Sequence, residues 1–384
     1  MDVTVWFLAE RHSTRFWDTR ISGNFKWDIL PGWSFNMKIQ RGEKGTLHLN
    51  PTLLWRISRG RFDVVVLRGW SSPSYLLAQM ICMYFRISTV LWSGSVPGAL
   101  TYGGKVWEKP IGRRRLFRPL LRWWIQNARG YIAYGTRSRN YLIELGADPS
   151  RIHCAWNTVD VDRMILAADS ARSKREEMRA SLGIAPADKL FLYVGLFQPL
   201  KYLDTLIHAY ERLTRQRSDV VLGLVGYGEC EAELRSQANK IGAGRIMFLG
   251  HVDLADLPKY YTAADIFVLP SVDIWGLVVN EAMACGLPII ASDAVGCTDD
   301  LVIPCLNGFA YPHGDISALV NAMQYLAENN VLRERMGQAS HLRIQDYVYC
   351  QAVPALGKAI REARGAKRVS AKESNSDQKT NLKH

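Results

Sequence analysis

Between residues 187 and 343 short apolar runs alternate with stretches of helical spacing, and this alternation constrains the fold more than any other feature of the chain. KLFLYVGLF (189–197), VVLGLVG (220–226), RIMFLG (245–250), DIFVLP (265–270) and PIIAS (288–292) show no polar alternation. YLDTLIHAYERLTRQR, CEAELRSQANKIG and DLADLPKYYTAA lie between them with helical periodicity. Strands apolar on both faces belong to a parallel sheet covered by helices. Residues 187–343 therefore read as a doubly wound α/β domain, whose ligands would sit at the carboxyl ends of the strands near a switch in strand order. FDVVVLRG (62–69), STVLWSG (88–94) and GYIAYG (130–135) extend the pattern to the first half, with helices expected over 72–85, 115–128 and 137–145. The organisation expected is a Rossmann-like domain over 1–157, a linker over 158–186, the second domain over 187–343, a helix over 344–363 crossing back to the first domain, and a disordered basic tail over 364–384.

Charge divides the chain unevenly. Residues 1–160 carry 23 of the 48 Lys and Arg but only 10 of the 36 Asp and Glu, so the net charge of +12 resides wholly in the first half, as do eleven of the twelve tryptophans. Within that half, KPIGRRRLFRPLLRWW (109–124) sets Arg113, Arg114, Arg115, Arg118 and Arg122 beside Trp123 and Trp124. Such a basic, aromatic helix suits an anionic lipid surface or an acceptor, the plainer reading being a surface helix with its aromatics turned inward. No nucleic-acid module is present. Seven scattered cysteines without a CxxC pair indicate neither a disulfide framework nor a zinc site, and the start has no signal-peptide succession. A cytoplasmic protein, peripheral on the inner face of the membrane, is the expectation. Gly69–Phe85, the most apolar window, is interrupted by Ser71, Ser72 and Pro73, and reads as a buried helix.

One carboxylate stands out. In SVDIWGLVVNEAMACGLPII (271–290) Glu281 sits among Val278, Val279, Ala282, Met283 and Ala284 and requires a partner. The segment reads as a strand, a loop and a helix that starts at Gly276. The N–H groups of Gly276, Leu277 and Val278 would then form an anion site suited to phosphate. Glu281, one to two turns inside, and Asp273, in the loop before, could both face one crevice and accept hydrogen bonds from sugar hydroxyls. Phosphate and sugar hydroxyls together point to a nucleotide sugar. The competing readings are a structural ion pair for Glu281 and a turn or capping role for Asp273.

DIWGLVVNEAMACGLPIIASDAVGCTDDLV resembles the signature of the group 1 glycosyltransferases, glycosyltransferase family 4, which have the GT-B fold of two Rossmann-like doubly wound domains facing a central cleft. LYVGLFQPLKYLDTLIHAYERL, LVGYGECEAELRS, IMFLGHVDLADLPKYYTAADIFVLPS and CLNGFAYPHGD continue the resemblance in family order over about residues 192–315. The resemblance implies a retaining transfer of a hexose from a UDP- or GDP-type nucleotide sugar, with no further cofactor and no metal. It implies that Glu281 holds the ribose hydroxyls, Asp273 contacts the transferred sugar, Lys201 neutralises the diphosphate with the backbone of Gly276, Leu277 and Val278, and Gly195 and Val252 lie along the donor. The acceptor it implies is a membrane-associated saccharide or lipid-linked oligosaccharide in surface polysaccharide assembly.

The chain departs from the family at three places. Asp273 stands for the usual glutamate, Leu196 for the arginine that accompanies Lys201, and VTVWFLAE for the usual first βα unit. Where the family has a histidine in the first domain, Trp92, Ser93 and Gly94 follow the strand, so no general base is assigned. A non-catalytic GT-B partner or nucleotide-sugar-binding protein is the alternative these departures leave open. GYGE (226–229) reads as a tight strand-to-helix turn rather than a phosphate cradle.

Overall fold

The computed structural model describes residues 2–9, 25–38, 44–70, 72–96, 101–102, 105–106, 111–241 and 245–380. Residues 10–24, expected to be irregular, lie outside these, as do His12 and the side chains of Arg113, Arg114 and Arg115.

The first domain is built on four parallel strands in the order Ile152–Cys154, Gly130–Ala133, Ser88–Ser93 and Val64–Leu67. Their apolar runs bury both faces. On one side Leu91 and Tyr131 pack with Ile81 and Cys82 of the Pro73–Tyr84 helix and with Trp124 and Ile125 of the Ile111–Gln126 helix. On the other, Val90 and Ile132 meet Ala352, Ala359 and Ala363 of the terminal helix. Two further strand pairs, Thr4–Phe7 with Lys26–Ile29 and Trp33–Lys38 with Lys44–Leu49, stand apart from this sheet. Asn50, fully buried, ties them to the domain: its amide donates to the carbonyls of Leu8 and Leu30 at 3.2 and 3.0 Å, and its Oδ1 accepts from Ser74 at 2.9 Å.

The second domain is a six-stranded parallel sheet in the order Ile246–Gly250, Val220–Val225, Lys189–Val194, Ile266–Leu269, Ile289–Ser292 and Gly308–Tyr311. Residues 158–186 are helical over Val161–Arg172 and Arg175–Ser181, the first capped by Asp160, which accepts from the N–H of Arg163. Arg179 is buried but fully engaged, donating to the carbonyls of Ala263 and Asp188 and to the Asp265 carboxylate. That pairing lets a guanidinium sit under the sheet without an uncompensated charge.

Two expectations are corrected. Where a disordered tail is expected, residues 364–380 continue the terminal helix, which runs Tyr349–Thr380. Ala, Arg, Lys, Glu and Gln are good helix formers, and a helix already nucleated on the first sheet extends at little cost. The Pro73–Tyr84 helix is buried on one face only: Leu76, Met80 and Tyr84, spaced by four, are 39, 60 and 83 % exposed. A helix apolar all round gives no periodic signal to separate its two sides.

Candidate active site

Strand order in the second sheet reverses between Lys189–Val194 and Ile266–Leu269, which pair in parallel. The loops leaving these strands, 195–201 and 270–276, flank the crevice that such a switch point opens. Lys201 ends a single 3-10 turn, Pro199–Lys201, and Tyr202 follows in the left-handed region at φ 50°. Asp273 is fixed through its backbone, its N–H bonding the carbonyl of Ala294 at 3.3 Å and its carbonyl accepting from Gly296 at 2.9 Å. These loops bring the two side chains together. Lys201 Nζ donates to both oxygens of Asp273, at 2.6 and 2.8 Å, and Ser271 Oγ donates to Oδ2 at 2.6 Å.

Three residues beyond Asp273, Gly276 caps the Leu277–Ala284 helix at φ +96°. The leading N–H groups of a helix have no carbonyl of their own turn to bond, so this terminus offers donors and a partial positive charge beside the ion pair. One turn inside, Glu281 is only 8 % exposed, and its partner is a phenol: Tyr261 OH donates to Oε2 at 2.7 Å. Burial raises the Glu281 carboxyl to about 7, while the Tyr261 bond pulls it down by a smaller amount. Glu281 and Leu277 line a cavity of ≈ 360 Å³ together with Leu254, Ala255, Pro258, Thr158, Asp160, Arg163 and Tyr349. Val252 precedes Leu254, half-buried against the domain core. Among the described residues no three His, Cys, Asp or Glu side chains are placed to hold a metal ion.

Gly195, at φ +153°, begins the loop that carries Lys201. GYGE is the structural turn the sequence suggests, since a Cβ at Gly226 would lie 1.8 Å from the Gly195 carbonyl oxygen and one at Gly228 2.3 Å from that of Phe197. Gly226→Ala is therefore expected to cost roughly 3 kcal/mol by forcing two backbones apart, read as a lowered denaturation midpoint; an unchanged midpoint would show the loops free to shift.

The domains meet beside this crevice. Thr136 donates through its N–H and its hydroxyl to Asp300, at 3.0 and 2.6 Å. Arg137 reaches the Asp299 carboxylate at 2.7 Å, the Asp293 carbonyl at 2.6 Å and Thr298 Oγ1 at 2.9 Å. Trp275 lies over Gly135, where a Cβ would come 2.3 Å from its ring, and its Nε1 donates to Asn280 at 3.0 Å.

Residues 174–343 match the family model for glycosyl transferases group 1. A phosphatidyl-myo-inositol mannosyltransferase of Mycobacterium tuberculosis is 30% identical over 299 residues, covering 76% of this chain and 71% of its own. The chain belongs to the group 1 glycosyltransferases. A phosphatidyl-myo-inositol mannosyltransferase of Mycobacterium leprae is 32% identical over 60% of this chain and 59% of its own, and a D-inositol 3-phosphate glycosyltransferase of Xylanimonas cellulosilytica 31% identical over 55% and 51%. The match thus spans between half and three fifths of these two relatives. In fold the chain is similar to Anabaena HepE solved with UDP, with TM-score 0.66, 19% identity and coverage of 88% of this chain and 86% of that one. It is also similar to sucrose-phosphate synthase from Thermosynechococcus elongatus, with TM-score 0.63, 22% identity and coverage of 81% and 76%. The fold is GT-B, two Rossmann-like domains.

In this group 1 glycosyltransferase the structure joins Lys201 to Asp273, sets Gly276 as the cap of the helix that begins with Leu277 and Val278, and places Leu277 and Glu281 on the wall of the cavity. Tyr261, the partner of Glu281, carried no signal in the sequence, because a hydroxyl 20 residues away on another helix is no motif; Ser271, two residues from Asp273, is an ordinary loop serine until its hydroxyl is seen on the carboxylate. The surface proposed on the Ile111–Gln126 helix needs correction. Trp124 is buried, its ring 5.9 Å from that of Trp70, whereas Arg118, which pairs with Glu144 at 2.7 Å, Arg122 and Trp123 are exposed.

Proposed function

We propose that the chain is a retaining glycosyltransferase that moves a hexose from a UDP- or GDP-type nucleotide sugar to a membrane-associated saccharide or lipid-linked acceptor. What carries this reading is that one helix, Leu277–Ala284, has Glu281 on a cavity wall and begins three residues after Asp273, which pairs with Lys201 at the switch point. The nucleoside occupies the cavity with its ribose on Glu281, the diphosphate lies on the helix N–H groups and Lys201, and the sugar reaches Asp273. As the glycosidic bond breaks, negative charge grows on the diphosphate. Lys201 and the oriented N–H groups stabilise that charge, the largest contribution such a site makes to rate. A relative named for phosphatidyl-myo-inositol supports a lipid-linked acceptor.

Thermal-shift screening against UDP- and GDP-sugars, followed by mass spectrometry of transfer to lipid extracts, tests the reading. Stabilisation by one nucleotide class with acceptor-dependent release of its diphosphate is expected. Nucleotide binding without any transfer would favour the non-catalytic alternative.

Membrane docking falls to the first domain. Leu76, Met80 and Tyr84 stand exposed on the Pro73–Tyr84 helix, as do Leu54 and Trp55 on the Leu53–Arg59 helix packed against it. Between residues 53 and 86 the charged groups are Arg56, Arg59, Arg61, Arg68 and Arg86 against Asp63 alone. Exposed aromatic and aliphatic side chains on a segment whose charge is nearly all arginine suit an anionic interface. The protein is expected to co-sediment with phosphatidylglycerol vesicles and not with phosphatidylcholine vesicles. Met80→Glu with Tyr84→Glu should reduce binding at least tenfold; equal binding by the double variant would remove this face from the proposal.

A further inference from the structure

We propose that the Lys201–Asp273 ion pair is a donor-operated switch: a diphosphate takes Lys201 from Asp273, the freed carboxylate engages the transferred sugar, and the pair re-forms to expel the nucleoside diphosphate once the sugar has left. This rests on the nucleotide-sugar reading above. A lysine ammonium has three N–H donors and no acceptor, and two of them converge on the two oxygens of Asp273. The cation is thereby committed to a carboxylate of its own chain. Among the described residues Ser271 is the other donor on that carboxylate, through Oδ2.

Position makes the commitment consequential. Asp273 is bonded to Lys201 and lies three residues before Gly276, so a diphosphate held jointly by Lys201 and the helix N–H groups must take the ammonium from Asp273. The two side chains are 20 and 23 % exposed, covered enough for their attraction to exceed that of a surface pair yet open to a ligand. When phosphate oxygens replace Asp273 on Lys201, the carboxylate keeps Ser271 and accepts hydrogen bonds only, so it must find new donors or stand against a like charge.

Sugar hydroxyls are those donors. A nucleotide sugar satisfies both halves of the separated pair, whereas a nucleoside diphosphate satisfies Lys201 and leaves Asp273 facing a more negative group. The site therefore favours the intact donor over its nucleotide product. After transfer, Asp273 competes with the diphosphate for Lys201 and speeds its release. The loop that carries Asp273 is held by backbone bonds on both sides of the residue, to Ala294 and from Gly296.

Asp273→Asn removes the competing charge at nearly constant shape. Calorimetric titration of the full chain with UDP and GDP should show the variant binding its preferred nucleoside diphosphate at least tenfold more tightly than the wild type. Its preference for the corresponding nucleotide sugar over that diphosphate should collapse toward one. Asp273→Glu, which keeps the charge, should retain the wild-type preference. A structural role for the pair would lower stability without tightening nucleotide binding. Should the Asn variant fail to fold, Ser271→Ala serves in its place: with the carboxylate's other partner removed, the diphosphate should bind severalfold more weakly and the nucleotide sugar less so. Unchanged or weaker diphosphate binding by Asp273→Asn, or unchanged binding by Ser271→Ala, overturns the switch. A wild type that binds neither UDP nor GDP overturns the nucleotide-sugar reading itself.

Discussion

Glu281→Gln is expected to remove the thermal stabilisation given by a nucleotide sugar and, at pH 8, to raise the melting temperature of the protein alone. Both effects follow from one buried carboxyl. In the folded protein burial lifts its pKa from the usual 4.5 to about 7. The folded state therefore holds a proton that the unfolded chain releases between these values. The stability this contributes is complete below about pH 4.5 and is lost as pH rises through about 7. At roughly 1.4 kcal/mol per pH unit, ionising Glu281 costs up to about 3 kcal/mol by pH 8. Glutamine has the same shape, keeps an oxygen for the Tyr261 hydroxyl and has no such charge to bury. The difference in melting temperature between variant and wild type should accordingly widen from pH 5 to pH 8. The variant's amide, a poorer acceptor than a carboxylate, should lose about 1.5–3 kcal/mol of hydrogen bonding to ribose, a weakening of ten- to more than a hundredfold. A stability difference that does not change with pH would show that Glu281 is not the titrating group, and an unchanged donor-induced shift would remove it from the ribose.

Lys201→Ala should depress turnover by about 10²–10³-fold, the loss seen when one preorganised donor to a developing anion is removed. Its fall in kcat should exceed its rise in KM, because the charge Lys201 neutralises is greatest as the glycosidic bond breaks. The structure adds a second consequence. Without Lys201, Asp273 keeps Ser271 at 2.6 Å and has no cation, so Lys201→Ala combined with Asp273→Asn should recover part of the ground-state binding that the single variant loses. Purely additive binding energies for the two changes would mean that the side chains act independently.

Much of this arrangement can be read along the chain, and the remainder fails for identifiable reasons. The paired sheets are legible because their strands are apolar on both faces and the intervening helices are not. Glu281 is legible because a lone charge in an apolar helix demands compensation. What compensates it is not, since Tyr261 lies on a neighbouring helix and its hydroxyl reaches Glu281 only after both helices have packed on the sheet. The Lys201–Asp273 pair joins residues 72 apart through loops whose paths depend on Gly195, Gly276 and the approach of Gly296 to Ile274. Trp123 and Trp124 show the limit of composition. Adjacent positions on a helix point about 100° apart, so one ring enters the core beside Trp70 while the other remains 47 % exposed. The Pro73–Tyr84 helix errs in the opposite sense, reading as buried throughout while presenting a row of large side chains outward. The interdomain contacts of Thr136 and Arg137 with Asp299 and Asp300 had no signal either, because each pair is surface-like in its own domain until the domains meet.

The claim at the centre of this account is that one crevice of the second domain holds a nucleotide diphosphate sugar from Glu281 to Lys201. Calorimetric titration of the full chain with UDP- and GDP-sugars tests it most directly. The account predicts saturable one-to-one binding of one nucleotide class in the micromolar range, weakened at least tenfold by Glu281→Gln and by Lys201→Ala separately. No binding of either class at millimolar concentration, or binding that both variants leave unchanged, would contradict it.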